Sequence, residues 1–209
     1  MPNQPYIELG DVKILRENDV VAACITKDGY FEKESLQIWE GAGSGTYIDV
    51  GAYTGLYAIN TAKRGNPVVA IEPNTVTYKR LLENATLNGV EIRAINAAIG
   101  DREGITHFAL PVGKGGFTSA GTTGLKGVEV KMVSIDSLDL KDVVAIKMDV
   151  ERAELKALEG AIEVIREYKP LLIIEALDQE LEDQITSFLY ALGYDEYRKA
   201  DSRNLIFEG

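Results

Sequence analysis

Cysteine and histidine are all but absent from these 209 residues, with Cys24 and His107 the sole examples. A lone cysteine excludes an internal disulfide, so the fold must be held by its core. One histidine, one cysteine and acids scattered without ligand spacing leave no metal site to expect. Basic charge is short as well: 22 Lys and Arg against 33 Asp and Glu give a formal net charge of -11 and a pI near 4.7. A partner bound mainly through phosphates needs a basic face, so nucleic acid is not expected, although local patches such as Lys63-Arg64 exist. No apolar run is long enough to span a bilayer, and Met1 to Asp11 carries no charged-then-apolar leader. The expectation is a soluble, cytoplasmic protein without a membrane partner.

What is present supports a full core. A hydrophobic content of 45% over this length favours one domain, with residues 1–45 as an N-terminal extension and short helix ahead of an α/β core at 46–209. From Thr46 onward short apolar runs alternate with longer amphipathic ones, the signature of a parallel sheet covered by helices. The expected strands are Tyr47 to Val50, Val68 to Glu72, Ile92 to Ala97, Val143 to Asp149 and Leu171 to Glu175. The expected helices are Gly55 to Arg64, Thr75 to Asn88, Arg152 to Glu167 and Gln179 to Leu192, with Asn74 as an N-cap and Gly65, Gly89 and Gly193 as stops. Tyr194 to Lys199 and Asn204 to Phe207 read as an antiparallel hairpin closing the sheet edge.

Two segments fall outside this alternation. Tyr6 to Thr26 is rich in β-branched residues and reads as a small β-hairpin extension. Lys114 to Gly127 is rich in Gly, Ser and Thr between strand-like runs at Ile105 to Leu110 and Val128 to Val133, so it reads either as a lid beside a site or as a hairpin tip. Leu36 and Trp39 read as the buried face of the short helix before the core.

The stretch TYIDVGAYTG, Thr46 to Gly55, is a strand that ends in an acid and enters a helix through a glycine turn. Such a turn presents backbone N–H groups at a helix N-terminus, which favours an anionic group. A nucleoside triphosphate is excluded because no Gly-Lys-Ser or Gly-Lys-Thr follows. A dinucleotide needs a second glycine where Tyr53 stands, and that side chain would crowd a pyrophosphate. S-adenosylmethionine, whose methionyl end has a carboxylate and an ammonium, suits Gly51 and the amides after it, with Asp49 facing the ammonium. Glu72, 21 residues beyond Gly51, is placed to accept ribose hydroxyls, which both nucleoside ligands share.

These residues resemble the FkbM-type class I S-adenosylmethionine-dependent methyltransferases. The likeness runs from Gly29 to about Leu177 through IDVGAYTG, VVAIEPNTVTYKRLLENATLNG, INAAIGDREG, VEVKMVSIDSL and IKMDVERAELKALEGA. It implies a Rossmann-like, mostly parallel seven-stranded sheet, S-adenosyl-L-methionine as cofactor, and methylation of a hydroxyl on a small-molecule or glycan acceptor. Carried over, the resemblance places Asp49, Gly51, Ala52, Tyr53, Thr54 and Gly55 at the methionyl end and Glu72 and Pro73 at the ribose. Asn96, Ala97 and Asp101 fall beside the adenine, and Asp149 and Glu151 beyond the fourth strand face cofactor and acceptor. The chain departs from the family at two positions: Tyr53 stands where Asn is usual and Arg152 where Gly is usual.

Methyl transfer to a hydroxyl needs alignment, exclusion of water and a place for the proton. Asp149 is the first choice to position the acceptor or take that proton, and Glu151 the second, although Glu151 and Glu154 also suit a helix start electrostatically. Glu175 at a strand end and Glu32 before the short helix are candidates for the acceptor side. His107 reads as a solvent-facing strand residue. Other readings are RNA or protein methylation, and a module that holds S-adenosylmethionine without turnover.

Overall fold

The computed structural model describes residues 4–16, 20–108 and 127–209. The Gly/Ser/Thr-rich stretch from Lys114 lies outside them up to residue 126, as do Ala109 and Leu110. Strands β1 (Tyr6–Leu9) and β2 (Val12–Leu15) form the expected hairpin, turning at Gly10, whose φ of 59° is left-handed. Beyond it the expectation fails: Val20–Asp28 is a helix, α1, and not more hairpin. Val21, Ala22 and Ile25 bury one helical face against Ile7, Val12, Ile14, Leu56 and Ile59. Burial on that face overrides the strand preference of β-branched residues. Helix α2 (Lys33–Glu40) follows and buries Leu36 and Trp39 as expected.

The core then runs β3 (Thr46–Val50), α3 (Leu56–Lys63), β4 (Val68–Ile71), α4 (Thr75–Asn88) and β5 (Arg93–Ile95). Asn74 caps α4 by accepting from the Val76 N–H at 2.9 Å, and Gly89 ends it in a left-handed conformation. Strands β6 (Ala98–Ile99), β7 (Gly104–Phe108) and β8 (Val128–Val133) pair in a separate sheet, in the order β6-β8-β7. The second half comprises β9 (Val143–Met148), α5 (Glu154–Glu159), α6 (Ile162–Tyr168), β10 (Leu171–Glu175), α7 (Gln179–Ala191), β11 (Arg198–Ala200) and β12 (Asn204–Phe207). The single helix expected from Arg152 to Glu167 is thus two, broken around Gly160. A Cβ at Gly160 would collide with the Gly100 carbonyl oxygen, so the chain presses there on the segment after β6.

The seven-stranded sheet has the order β11-β12-β10-β9-β3-β4-β5. Strand β12 is antiparallel to β10 and to β11, and the other pairs are parallel, so the antiparallel edge stands where the sequence placed it. Alternate residues point to opposite faces: Ile146 and Met148 join the core under α5, α6 and α7, whereas Ala145 joins the one under α2, α3 and α4. Lys147 lies on the second face, and the register puts it beside Asp49 of β3. Strand order reverses between β3 and β9, the switch point at which open α/β sheets bind ligands.

Candidate functional site

A cavity of about 620 Å³ opens at the ends of β3, β4 and β9, within the usual range for small-molecule sites. Two turns meet there, one after β3 and one after β9. In the first, Gly51 has φ 81° and Gly55 φ 91°, conformations that L side chains rarely adopt. A Cβ on Gly51 would also collide with the carbonyl oxygen of Asp149, so the two turns touch through a position only glycine can fill. Four amides of this turn already have partners: Gly51 and Ala52 donate to the Ile71 carbonyl (2.9 and 3.0 Å), Gly55 donates to Ala52 and Tyr53 to Glu72 Oε2 (2.8 Å each). The Thr54 hydroxyl, in the same turn, is enclosed and has no hydrogen-bond partner among the described residues.

Asp49 is buried, and its Oδ2 accepts from the Ala58 N–H at 3.1 Å, inside the first turn of α3. Burial pushes its pKa up to about 7 against the pull of Lys147. Glu72 is buried too. Its Oε1 accepts from the Asn74 N–H and the Thr77 hydroxyl, both at 2.8 Å, and Oε2 from Tyr53. A carboxylate accepts about four hydrogen bonds, so one acceptor position on Oε2 is left for a ligand, fewer than the two ribose bonds expected. Burial raises the Glu72 carboxyl, and the three donors oppose the rise.

Pro73, Ala97 and Asp101 line the cavity; Asp101 pairs with Arg102 (3.3 Å) and Lys156 (3.6 Å) at its rim. Asn96 stands behind the lining, its amide donating to the carbonyls of Glu72 (2.8 Å) and Pro73 (3.1 Å). It braces the strand end that presents Glu72. His107 is exposed, as expected of a solvent-facing strand residue, and borders the same cavity.

The second turn is charged. Asp149, Glu151 and Arg152 line the cavity, and Glu151 (φ 53°) and Arg152 (φ 78°) are left-handed without being glycine. Tyr53 in the first turn is left-handed as well, at φ 50°. The two positions where the chain departs from the FkbM pattern therefore demand the backbone that Asn and Gly adopt most easily. Arg152 reaches away to Asp178 Oδ2 at 2.6 Å, at the N-cap of α7.

Lys147 is the residue the sequence reading passed over. Its ammonium lies 3.3 Å from Asp149 Oδ2, 3.7 Å from Glu32 Oε2 and 4.9 Å from the ring centre of Tyr57. The Tyr57 hydroxyl donates to the same Glu32 oxygen at 2.9 Å. Burial disfavours the charged lysine, but Glu32, Asp149 and Asp49 outweigh burial and hold its pKa above the ordinary value. Glu175 adjoins Asp149 from β10; burial, then the Asp149 carboxylate, push its pKa up to about 8. Burial and Asp149 likewise raise Glu151, with Arg203 opposing. Glu32 and Glu175 thus join the site through Lys147 and Asp149, outside the cavity lining itself. A lone lysine within the apolar run VVAIKM was the available signal, since an internal strand carries a charge only where partners meet it.

A family model described as the methyltransferase FkbM domain matches residues 49–196. The chain belongs to the FkbM methyltransferase domain family. Among solved structures, this FkbM domain is similar to a methyltransferase FkbM from Methylobacillus flagellatus KT, with 22% identity and a TM-score of 0.58, over 78% of this chain and 43% of that one. It is similar to the Pyrococcus abyssi tRNA (uracil-54, C5)-methyltransferase in complex with S-adenosyl-L-homocysteine, at 16% identity and a TM-score of 0.60, over 98% of this chain and 44% of that one. A third likeness, to precorrin-6y C5,15-methyltransferase from Geobacter metallireducens, has 13% identity and a TM-score of 0.52, over 87% and 89% of the two chains. The chain spans less than half the length of the first two. At these identities the likenesses show the fold, a Rossmann-like class I methyltransferase architecture. No curated protein matches the chain.

Proposed function

We propose that this domain binds S-adenosyl-L-methionine in the switch-point cavity and transfers its methyl group to a hydroxyl of a small molecule or sugar. The observation that carries the reading is the meeting, across one cavity, of a neutral glycine turn with an acidic turn that presents Asp149. The residues fit the cofactor: the turn that holds the partnerless Thr54 hydroxyl suits its carboxylate end, Asp49 its ammonium and the remaining Glu72 acceptor its ribose, with Ala97 and Asp101 beside the adenine. Val21 and Phe31 line the same cavity, which supports reading residues 1–209 as one methyltransferase domain.

The cofactor, when bound, supplies an electrophilic methyl on a sulfonium. In the net reaction the sulfur–carbon bond breaks, a carbon–oxygen bond forms and the acceptor hydroxyl loses its proton. Asp149 is the residue placed to receive that proton, its side chain 30% exposed and its Oδ2 held by Lys147. Glu151, on the same turn, is the second choice. The buried ammonium of Lys147 fixes this carboxylate at the cavity wall. Acids at this end and an overall charge of -11 favour a small acceptor over a polyanion such as RNA.

Methyl transfer by Asp149→Asn, assayed over a panel of hydroxylated small molecules and sugars, should be ~10²-fold slower than wild type with S-adenosylhomocysteine affinity within a few fold. Equal losses in binding and rate would assign Asp149 to the cofactor. Cofactor binding without turnover on any acceptor would favour a binding module.

A further inference from the structure

Glu154 is a buried acid that the chemistry above leaves unused. Its residue is fully buried at the start of α5. Oε1 accepts from the N–H of Val150 at 3.2 Å and of Arg152 at 3.3 Å, while Oε2 has no partner among the described residues. The two amides flank Glu151, in the only place among the described residues where consecutive cavity-lining residues, Glu151 and Arg152, are both left-handed without glycine. Such a conformation persists when its surroundings enforce it. The Asp149 N–H is tied to the Val50 carbonyl at 3.0 Å, so the turn is pinned at one end by β3 and at the other by Glu154.

We propose that Glu154 is a positioning residue that clamps the backbone on both sides of Glu151 and so holds Asp149 and Glu151 at the cavity. The proposal rests on the methyl-transfer reading of that cavity. A solvated acid at a helix start would stabilise α5 through the helix dipole alone, a small effect for which burial of the carboxylate is unnecessary. Burial here is directed at the preceding turn, because the amides it serves belong to Val150 and Arg152 as well as to the helix. Burial pushes the Glu154 pKa up to about 7; its own amide and those of Val150 and Arg152 oppose this, and the Asp149 carboxylate adds to it. Asp149 is the charged group that acts on Glu154, and the clamp therefore titrates near neutrality.

Isotope-labelled protein, titrated by nuclear magnetic resonance from about pH 5 to 9 around that midpoint, tests the clamp without any acceptor. In the wild type the amide signals of Val150 and Arg152 should share a step with the Glu154 carboxyl carbon, and in Glu154→Gln that shared step should vanish, leaving only the steps of Glu151 and Glu175. Hydrogen exchange at both amides should remain within ~3-fold of wild type in Glu154→Gln, which keeps an acceptor oxygen, and rise ~10-fold or more in Glu154→Ala. The Glu175 carboxyl should then titrate lower in the alanine variant, because Asp149 and Glu151 are no longer held beside it. Affinity for S-adenosylhomocysteine should stay within ~3-fold throughout, since the glycine turn is untouched. Val150 and Arg152 signals that ignore the Glu154 titration in the wild type would overturn the clamp, whether or not the alanine variant folds. So would a folded alanine variant with slow exchange at both amides and an unmoved Glu175. A wild type that shows the coupled titration but binds no S-adenosylhomocysteine would keep the clamp and remove the cofactor reading beneath it.

Discussion

The two turns that face each other across the cavity reach similar backbone shapes by different means. The Gly51–Gly55 turn is neutral, and glycine supplies two of its left-handed positions outright. The turn from Asp149 to Ala153 has no glycine; charged residues hold its left-handed positions, and Glu154 braces them from beneath. The first shape is written locally in residue type, and the second depends on partners elsewhere in the chain. A local motif is robust to changes at a distance, whereas a turn held by partners can be loosened by one substitution or by a change of pH.

The sharpest way to break the contrast is Gly51→Ala. The added methyl meets the Asp149 carbonyl, so one substitution strikes both turns. Overpacking and a left-handed alanine together cost roughly 3 kcal/mol or more, which in a domain this size lowers Tm by about 6–12 °C. Calorimetry should show that drop together with lost cofactor binding; a wild-type Tm would mean that the turns do not touch as described.

Glu72→Ala comes next. It removes the Tyr53 anchor of the glycine turn and one ligand-facing acceptor, so S-adenosylhomocysteine binding should weaken roughly 10-fold to 100-fold, the scale of one charge-assisted hydrogen bond. The domain should stay folded with a lower Tm. Unchanged affinity by titration calorimetry would place the ribose elsewhere.

The pH dependence of stability is smaller and separates the turns by charge. Asp49 and Glu154 titrate near 7 and Glu175 near 8 in the folded protein, all above the ordinary values of 3.8 and 4.5. The folded state holds these protons more tightly than the unfolded chain does, so their contribution is complete below about pH 4 and is lost as pH rises through 7 to 8. Asp178 and Glu182 are lowered, and their contribution is lost only below that window, as acid protonates them. The Tm of the ligand-free protein should therefore fall by several degrees between about pH 5 and 8, at about 2–4 °C per kcal/mol, and fall less in Glu154→Gln. A Tm that rises over this interval would contradict the burial of these acids.

Much of this architecture was legible in the sequence because its signals are local. Apolar runs at β3, β4, β9, β10 and β12 need only their own composition to read as strands, and the caps Asn74 and Gly89 are chosen by backbone chemistry. The glycine turn and the acids at strand ends were equally visible. What failed depended on distant contacts. Helix α1 takes its shape from burial against β1, β2 and α3, which no local propensity encodes. At the break between α5 and α6, Gly160 packs on the Gly100 carbonyl, 60 positions earlier in the chain, a contact that no local signal encodes. Lys147 went unremarked because its partners Glu32 and Tyr57 lie in other elements, and the inward turn of the Gly51, Ala52 and Tyr53 amides could not be foreseen without β4 and Glu72 in place.

The central claim is that the switch-point cavity is a site for the methionyl cofactor. Titration calorimetry of the full chain with S-adenosylhomocysteine, and in parallel with a nicotinamide dinucleotide, tests it directly. Saturable binding of the first is expected, with a Tm that rises as its concentration rises because the ligand binds the folded state, and no binding of the second. No heat with S-adenosylhomocysteine alongside clear binding of the dinucleotide would contradict the account.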